Sequence, residues 1–155
     1  MNNERNHEGH DEYEEHEAVA KNRYAMRIAG PLSEQAERVM SAVIGCALVV
    51  HKALGPGFIE SIYRKAMCIE LTAGGLRYEQ ERPIKVAYRG TEIPGQRIDL
   101  IVESLVIVEL KAVIRIDEVH RAQLVSYLRT TGLRGGLLIN FRVPMLRQGL
   151  RRVVL

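Results

Sequence analysis

Residues 97–111 hold two strongly apolar runs of β character, Arg97-Ile98-Asp99-Leu100-Ile101-Val102 and Leu105-Val106-Ile107-Val108-Glu109-Leu110-Lys111, joined by Glu103-Ser104 alone. Runs this short and this rich in Ile, Val and Leu read as strands with buried side chains. Such strands leave little room for charge. An ionised Asp, Glu or Lys within them is costly unless it is paired or bound to metal. Any fold for this chain must therefore supply partners for Asp99, Glu109 and Lys111.

Strand geometry states where those groups fall. Glu109 and Lys111 share a face, about 7 Å apart along the chain, while Val106, Val108 and Leu110 point the other way into a core. On the preceding strand Asp99 shares a face with Ile101, and Ile98, Leu100 and Val102 line the opposite one. With antiparallel pairing through the Glu103-Ser104 turn, residues 99 and 109 stand at matching distances from it, so their carboxylates adjoin. Two adjacent carboxylates repel unless a cation or a shared proton lies between them. Magnesium suits, because it takes hard oxygen ligands and is commonly held by one or two carboxylates plus phosphate and water. A structural Asp/Glu–Lys ion-pair cluster at a sheet end accounts for the pattern equally well.

Around this pair the chain reads as one domain of 155 residues, large enough to bury a core. Ser33 is a good N-cap for a helix in which Ala36, Met40, Ile44, Ala47, His51 and Leu54 recur at helical spacing. Gly55-Pro56-Gly57 ends it. A second helix starts near Phe58, turns Ile59, Ile62, Tyr63, Ala66 and Met67 inward, and stops at Gly74-Gly75. Residues 76–81 and 84–88 are strand-like, with Arg89-Gly90-Thr91-Glu92 as a turn. Asp117 caps a third helix that runs to about Thr131 and closes at Gly132. Gly136 to Phe141 and Leu150 to Leu155 supply further strands. This order points to α/β or α+β, with helices packed on a mixed sheet.

Residues 1–30 stand apart. They are polar, carry four basic and seven acidic groups, and contain His7, His10 and His16. They read as a flexible acidic tail ahead of a domain spanning 31–155. Removing them leaves the rest at a net +6, against +3 for the whole chain, which favours a polyanionic partner such as nucleic acid. No apolar stretch is long enough to span a bilayer. Cys46 and Cys68 lack metal-binding or redox spacing, and two free thiols fit a cytoplasmic location.

The third helix adds a polar stripe. His120, Gln123 and Tyr127 fall at i, i+3 and i+7, flanked by Leu124 and Leu128, so the stripe adjoins the core. A buried Gln and Tyr need hydrogen-bond partners. A ligand water, a carboxylate or a phosphate would serve, and so would an inter-helix pair; His120 can equally contact Asp117 at the helix start.

Gly57-Phe58-Ile59-Glu60-Ser61-Ile62-Tyr63 spells GxxExxY and follows Val50-His51-Lys52-Ala53-Leu54-Gly55-Pro56. Together with RIDLIVESLVIVELKAV and HRAQLVSYLRTTGLRGGLLINF, it resembles the GxxExxY protein family of the PD-(D/E)XK nuclease-like superfamily, over roughly residues 33–155. The resemblance implies a restriction-endonuclease-like α-β-β-β-α-β core and a Mg²⁺- or Mn²⁺-dependent nuclease acting on DNA. It implies metal binding by Asp99 and Glu109, with Glu60 as the helical first-motif carboxylate, and Lys111 beside the attacking water. Gln123 and Tyr127 correspond to the QxxxY pair of one branch of the superfamily. His51 and His120 take supporting positions. The chain departs from the pattern in having Ile98 where Pro often precedes the Asp, and in its acidic tail. An i,i+4 ion pair between Glu60 and Arg64 is the competing assignment for Glu60.

The C-terminal third is rich in arginine. Arg129, Arg134, Arg142 and Arg147 are candidate phosphate contacts, since guanidinium groups bind phosphate bidentately; a solvated basic face is the alternative. Two functions remain in play: a metal-dependent nuclease, with a homodimer as a means of cutting both strands, and a non-catalytic nucleic-acid- or partner-binding module that keeps the fold.

Overall fold

A computed structural model describes residues 30–155. The expected tail and its three histidines lie outside the described residues. The chain begins with helix α1 (Glu34–Leu54), where Ser33 Oγ accepts the Ala36 amide at 3.2 Å. Glu34 and Glu37 in the first turn, and His51 and Lys52 in the last, complement the helix dipole. Its buried stripe is Ala36, Val39, Met40, Val43, Ala47 and Val50. Compared with the expected stripe, the core face is turned toward the valines, leaving Ile44 and Leu54 at its margin.

Helix α2 (Glu60–Ala73) buries Tyr63, Met67, Cys68 and Leu71. Ile59 and Ile62, expected inside, are exposed instead. Strand β1 (Tyr78–Tyr88) is continuous where two segments were expected. It is an edge strand, the position in which Pro83 is tolerated. The two-residue Arg89-Gly90 turn, with φ of +48° and +77°, leads into β2 (Thr91–Val102). The Glu103-Ser104 turn, also at positive φ, leads into β3 (Val106–Lys111). Helix α3 (Glu118–Thr131) ends at Gly132 in the left-handed conformation, and β4 (Gly135–Asn140) follows. A short 3₁₀ turn (Leu146–Gly149) precedes β5 (Leu150–Val154).

The five strands lie in sequence order, with β3–β4 parallel and the other three pairs antiparallel. The parallel pair requires a crossover, which α3 supplies. One face of the sheet packs Leu100, Val102, Val106, Val108, Leu110, Leu137 and Ile139 against α1 and α2. The other packs Ile98, Ile101, Ile107, Leu138 and Val153 against Leu124, Tyr127 and Leu128 of α3. Gly135 and Gly136 let the layers close: a Cβ there would stand 2.7 Å from Met40 and from Leu124 respectively. The result is an α+β fold of the restriction-endonuclease type, in which the expected α-β-β-β-α-β core runs from α2 to β4. Cys46 and Cys68 are free thiols. No helix among the described residues is long and apolar enough to cross a membrane.

Candidate active site

The site forms where β2 and β3 part. Their ladder runs Val102↔Val106, Ile101↔Ile107 and Leu100↔Val108, making Asp99 and Glu109 next in register. At that point side chains replace strand pairing. The Asp99 amide donates to Glu109 Oε1 at 3.1 Å, and the Leu110 amide donates to Asp99 Oδ2 at 2.9 Å. The alternation of β2 also breaks here. Ile98 joins Ile101 in the α3-side cluster, whereas Leu100 and Val102 face α1 and α2. Ile98 thus does not share the face of Leu100 as expected; Asp99 takes the intervening space and reaches the Arg64 guanidinium of α2 at 3.4 Å.

Glu109 is almost fully enclosed, 3% exposed, with Lys111 Nζ 4.0 Å from its Oε2. Burial, and then the charge of Asp99, push its carboxyl up to about 8, against the pull of the Asp99 amide and Lys111. Glu60 opens α2 as its first residue, a favourable place for a carboxylate at the positive end of a helix. Burial chiefly, and then Asp99, raise its pKa, while Lys111 and Arg64 lower it. Arg64 does not form the competing i,i+4 pair with Glu60. It divides its guanidinium between Asp99 and Glu81, each at 3.4 Å.

Among the described residues no group of three or more His, Cys, Asp and Glu side chains is gathered as a metal cluster. Asp99 and Glu109 nevertheless offer adjacent hard oxygens, in a setting where burial, and then the charge of Asp99, raise the Glu109 carboxyl. A bound cation favours the ionised form of both carboxylates, and two of them suffice for magnesium when phosphate and water complete the shell. The donor set fits the ion.

The stripe on α3 faces this pair. Lys111 Nζ donates to Gln123 Oε1 at 3.0 Å, Gln123 Nε2 donates to the Tyr127 hydroxyl at 3.0 Å, and that hydroxyl donates to Gln96 Oε1 at 2.7 Å. Burial, and then the charge of Glu109, push the Tyr127 phenol up to about 12, so it stays a donor. Gln96 completes the chain and was missed in the sequence, where no periodicity links β2 to α3. His120 lies elsewhere: its Nδ1 accepts the Asp117 amide at 3.0 Å and holds the helix start.

Beside Glu60 opens a cleft of about 380 Å³, lined by Pro56, Gly57, Phe58, Ile59, Glu60, Ala112, Val113 and Arg142. Buried polar groups hold its walls. The Tyr63 hydroxyl donates to Gly55 O at 2.5 Å and accepts the Phe58 amide at 3.1 Å. Asn140, 1% exposed, donates to Val113 O at 2.8 Å and accepts the Val113 amide at 3.0 Å and the Arg142 amide at 3.3 Å. His51 Nε2 bonds Val143 O at 2.8 Å, and Phe141 stacks on Tyr63 at 4.4 Å. Asn140 also escaped the sequence reading, although it is the one polar residue of an otherwise apolar strand.

The four candidate arginines disperse. Arg142 lines the cleft. Arg134 binds the carbonyls of Gly30, Pro31 and Leu155. Arg129 is exposed on α3, and Arg147 is exposed on the 3₁₀ turn, near Met145 Sδ at 3.8 Å.

No curated protein and no solved structure matches the chain. The family model for the PD-(D/E)XK nuclease superfamily matches residues 37–153, a span that contains both sheet faces, the two carboxylates and the α3 stripe. By this match over most of its length, with which the fold agrees, the chain belongs to the PD-(D/E)XK nuclease superfamily.

Proposed function

We propose that this chain is a Mg²⁺- or Mn²⁺-dependent nuclease that hydrolyses phosphodiester bonds of DNA, of the GxxExxY kind within its superfamily. The observation that carries the reading is the Asp99–Glu109 pair, closed in on itself with Lys111 alongside and Glu109 buried. Asp99 and Glu109 would hold the ion directly, and Glu60 would complete its shell through water. A divalent cation supplies Lewis acidity to a phosphoryl oxygen and acidifies water. Lys111, a compact ammonium, holds the attacking water or balances negative charge developing on the phosphoryl oxygens. Gln123 fixes the Lys111 ammonium, and Tyr127 fixes Gln123 with its amide oxygen toward the lysine.

The Asp99→Ala, Glu109→Ala and Lys111→Ala variants are expected to lose at least about a hundredfold in cleavage rate, a loss typical of removing a catalytic group, while melting as folded proteins. Absence of metal-stimulated cleavage of linear, nicked and single-stranded substrates, with both ions tried, would sink the reading.

One observation favours a second reading. Arg64 neutralises Asp99 without any metal, as a non-catalytic nucleic-acid- or partner-binding module would require. That module shows salt-sensitive DNA retention without turnover and no thermal shift on adding Mg²⁺ or Mn²⁺; the nuclease melts higher with metal. The free thiols support a cytoplasmic setting, and a homodimer would bring two sites to the two strands.

A further inference from the structure

The cleft beside Glu60 is built more firmly than the carboxylate pair needs. Its walls belong to three separate segments, 56–60, 112–113 and Arg142, and polar anchors hold each of them. Tyr63 pins the first through Gly55 and Phe58, Asn140 pins the second at both the amide and the carbonyl of Val113, and Asn140 with His51 brackets the third. None of these anchors touches Asp99 or Glu109. Preorganisation of this kind lowers the cost of seating a ligand.

The lining states which ligand. Pro56, Phe58, Ile59, Ala112 and Val113 make an apolar slot, in which Phe58 stays 49% exposed and Ile59 69% exposed. The Phe58 ring meets Tyr63 only edge-on, at 6.4 Å and 75°. Arg142 supplies the positive charge, and among the described residues its guanidinium takes part in no ion pair. Glu60 closes the slot on the side of the catalytic carboxylates, with which it is electrostatically coupled. An apolar cleft with an exposed aromatic, one guanidinium and a neighbouring candidate phosphodiester site suits one base with its phosphate. Its size, at the low end for small-ligand pockets, agrees. A base paired within a duplex keeps its faces stacked on its neighbours, whereas an unpaired base is free to stack on Phe58.

We propose that the cleft binds a single unpaired nucleotide adjoining the scissile phosphate, with its base against Phe58 and its phosphate on Arg142. The substrates are accordingly single strands or frayed ends rather than uninterrupted duplex. This deepens the nuclease reading and rests on it for the position of the scissile bond. Binding can still be measured without cleavage, using the full chain with EDTA at fixed low salt and a fluorescein-labelled oligonucleotide, single-stranded or annealed to its complement. Phe58→Ala is expected to weaken single-strand binding about tenfold, as loss of one stacked base does, and to leave duplex binding unchanged; Phe58→Tyr restores it. Arg142→Ala weakens single-strand binding about as much. The chain has no tryptophan, so Phe58→Trp installs a sole reporter, whose emission is expected to quench on titration with the single strand. Equal effects of Phe58→Ala on both forms, or an unquenched Phe58→Trp variant that melts normally, would overturn the proposal. Failure of the nuclease reading looks different, namely selective binding with no cleavage under any metal.

Discussion

Asp99 and Glu109 act as substitutes for strand pairing: each accepts an amide from the other's strand at the place where the ladder stops. Their adjacency was legible in the sequence because both stand equally far from the Glu103-Ser104 turn. Their partners were less so. Arg64 seemed matched to Glu60 by helical spacing, yet the break in alternation at Asp99 presents a better carboxylate across the fold. Gln96 meets Tyr127 over a separation of 31 residues, a contact that only tertiary packing creates. The raised Glu109 carboxyl has a consequence for stability. Between the ordinary carboxylate value of 4.5 and about 8, the folded chain keeps a proton that the unfolded chain has released. Raising the pH through that window therefore removes stability, and above it the loss is complete. In EDTA, Glu109→Gln is expected to be more stable than the parent near about pH 9, by on the order of a few kcal/mol. The difference should close toward about pH 4, below the ordinary range of the group. Urea melts across this range would show a pH-independent difference if the account is wrong.

Helix ends and turns were the most legible elements, since Ser33, Gly55, Asp117 and Gly132 stand at the caps that their chemistry favours. The first strand was split in two by its Pro83 and its charges, but the edge position of β1 tolerates both, and an irregularity between Ile84 and Val86 absorbs the mismatch. The inward faces of α1 and α2 were the harder matter. Several residues satisfy helical spacing, and which of them face inward depends on where the sheet lies. The 3₁₀ turn carries a prediction of its own. A Cβ on Gly149 would stand 2.1 Å from the backbone oxygen of Asn140, which a flexible side chain cannot relieve. Gly149→Ala is expected to lower stability by about 2–3 kcal/mol, as overpacking does. By shifting Asn140 it should also weaken single-strand binding. Denaturant melts and the anisotropy assay check both; an unchanged midpoint would mean that the turn yields freely.

At the scale of the whole molecule, the order of elements identified a mixed sheet between helical layers, and the match to the superfamily agrees. Charge counting alone does not locate phosphate contacts. Composition shows an excess of arginine but not its direction, and Arg134 proves to be engaged with the carbonyls of Gly30, Pro31 and Leu155. Arg134→Ala is expected to lower stability by about 1 kcal/mol, the scale of a net hydrogen bond, and to speed amide exchange at 30–33 and 153–155. Nucleic-acid affinity should stay within about twofold, since one exposed charge remote from the site contributes little; a large drop would return Arg134 to the binding surface. The same clasp brings both ends of the described fold together at the start of β4, whereas Lys111 lies opposite Asn140 at the far end of that strand. The separation is about 16 Å for a six-residue strand. Ends of a folded unit that lie together and away from its candidate cleft are what circular permutation demands, so joining Gly30 to Leu155 by a short linker and reopening the described domain at a distant turn is expected to leave the cleft intact.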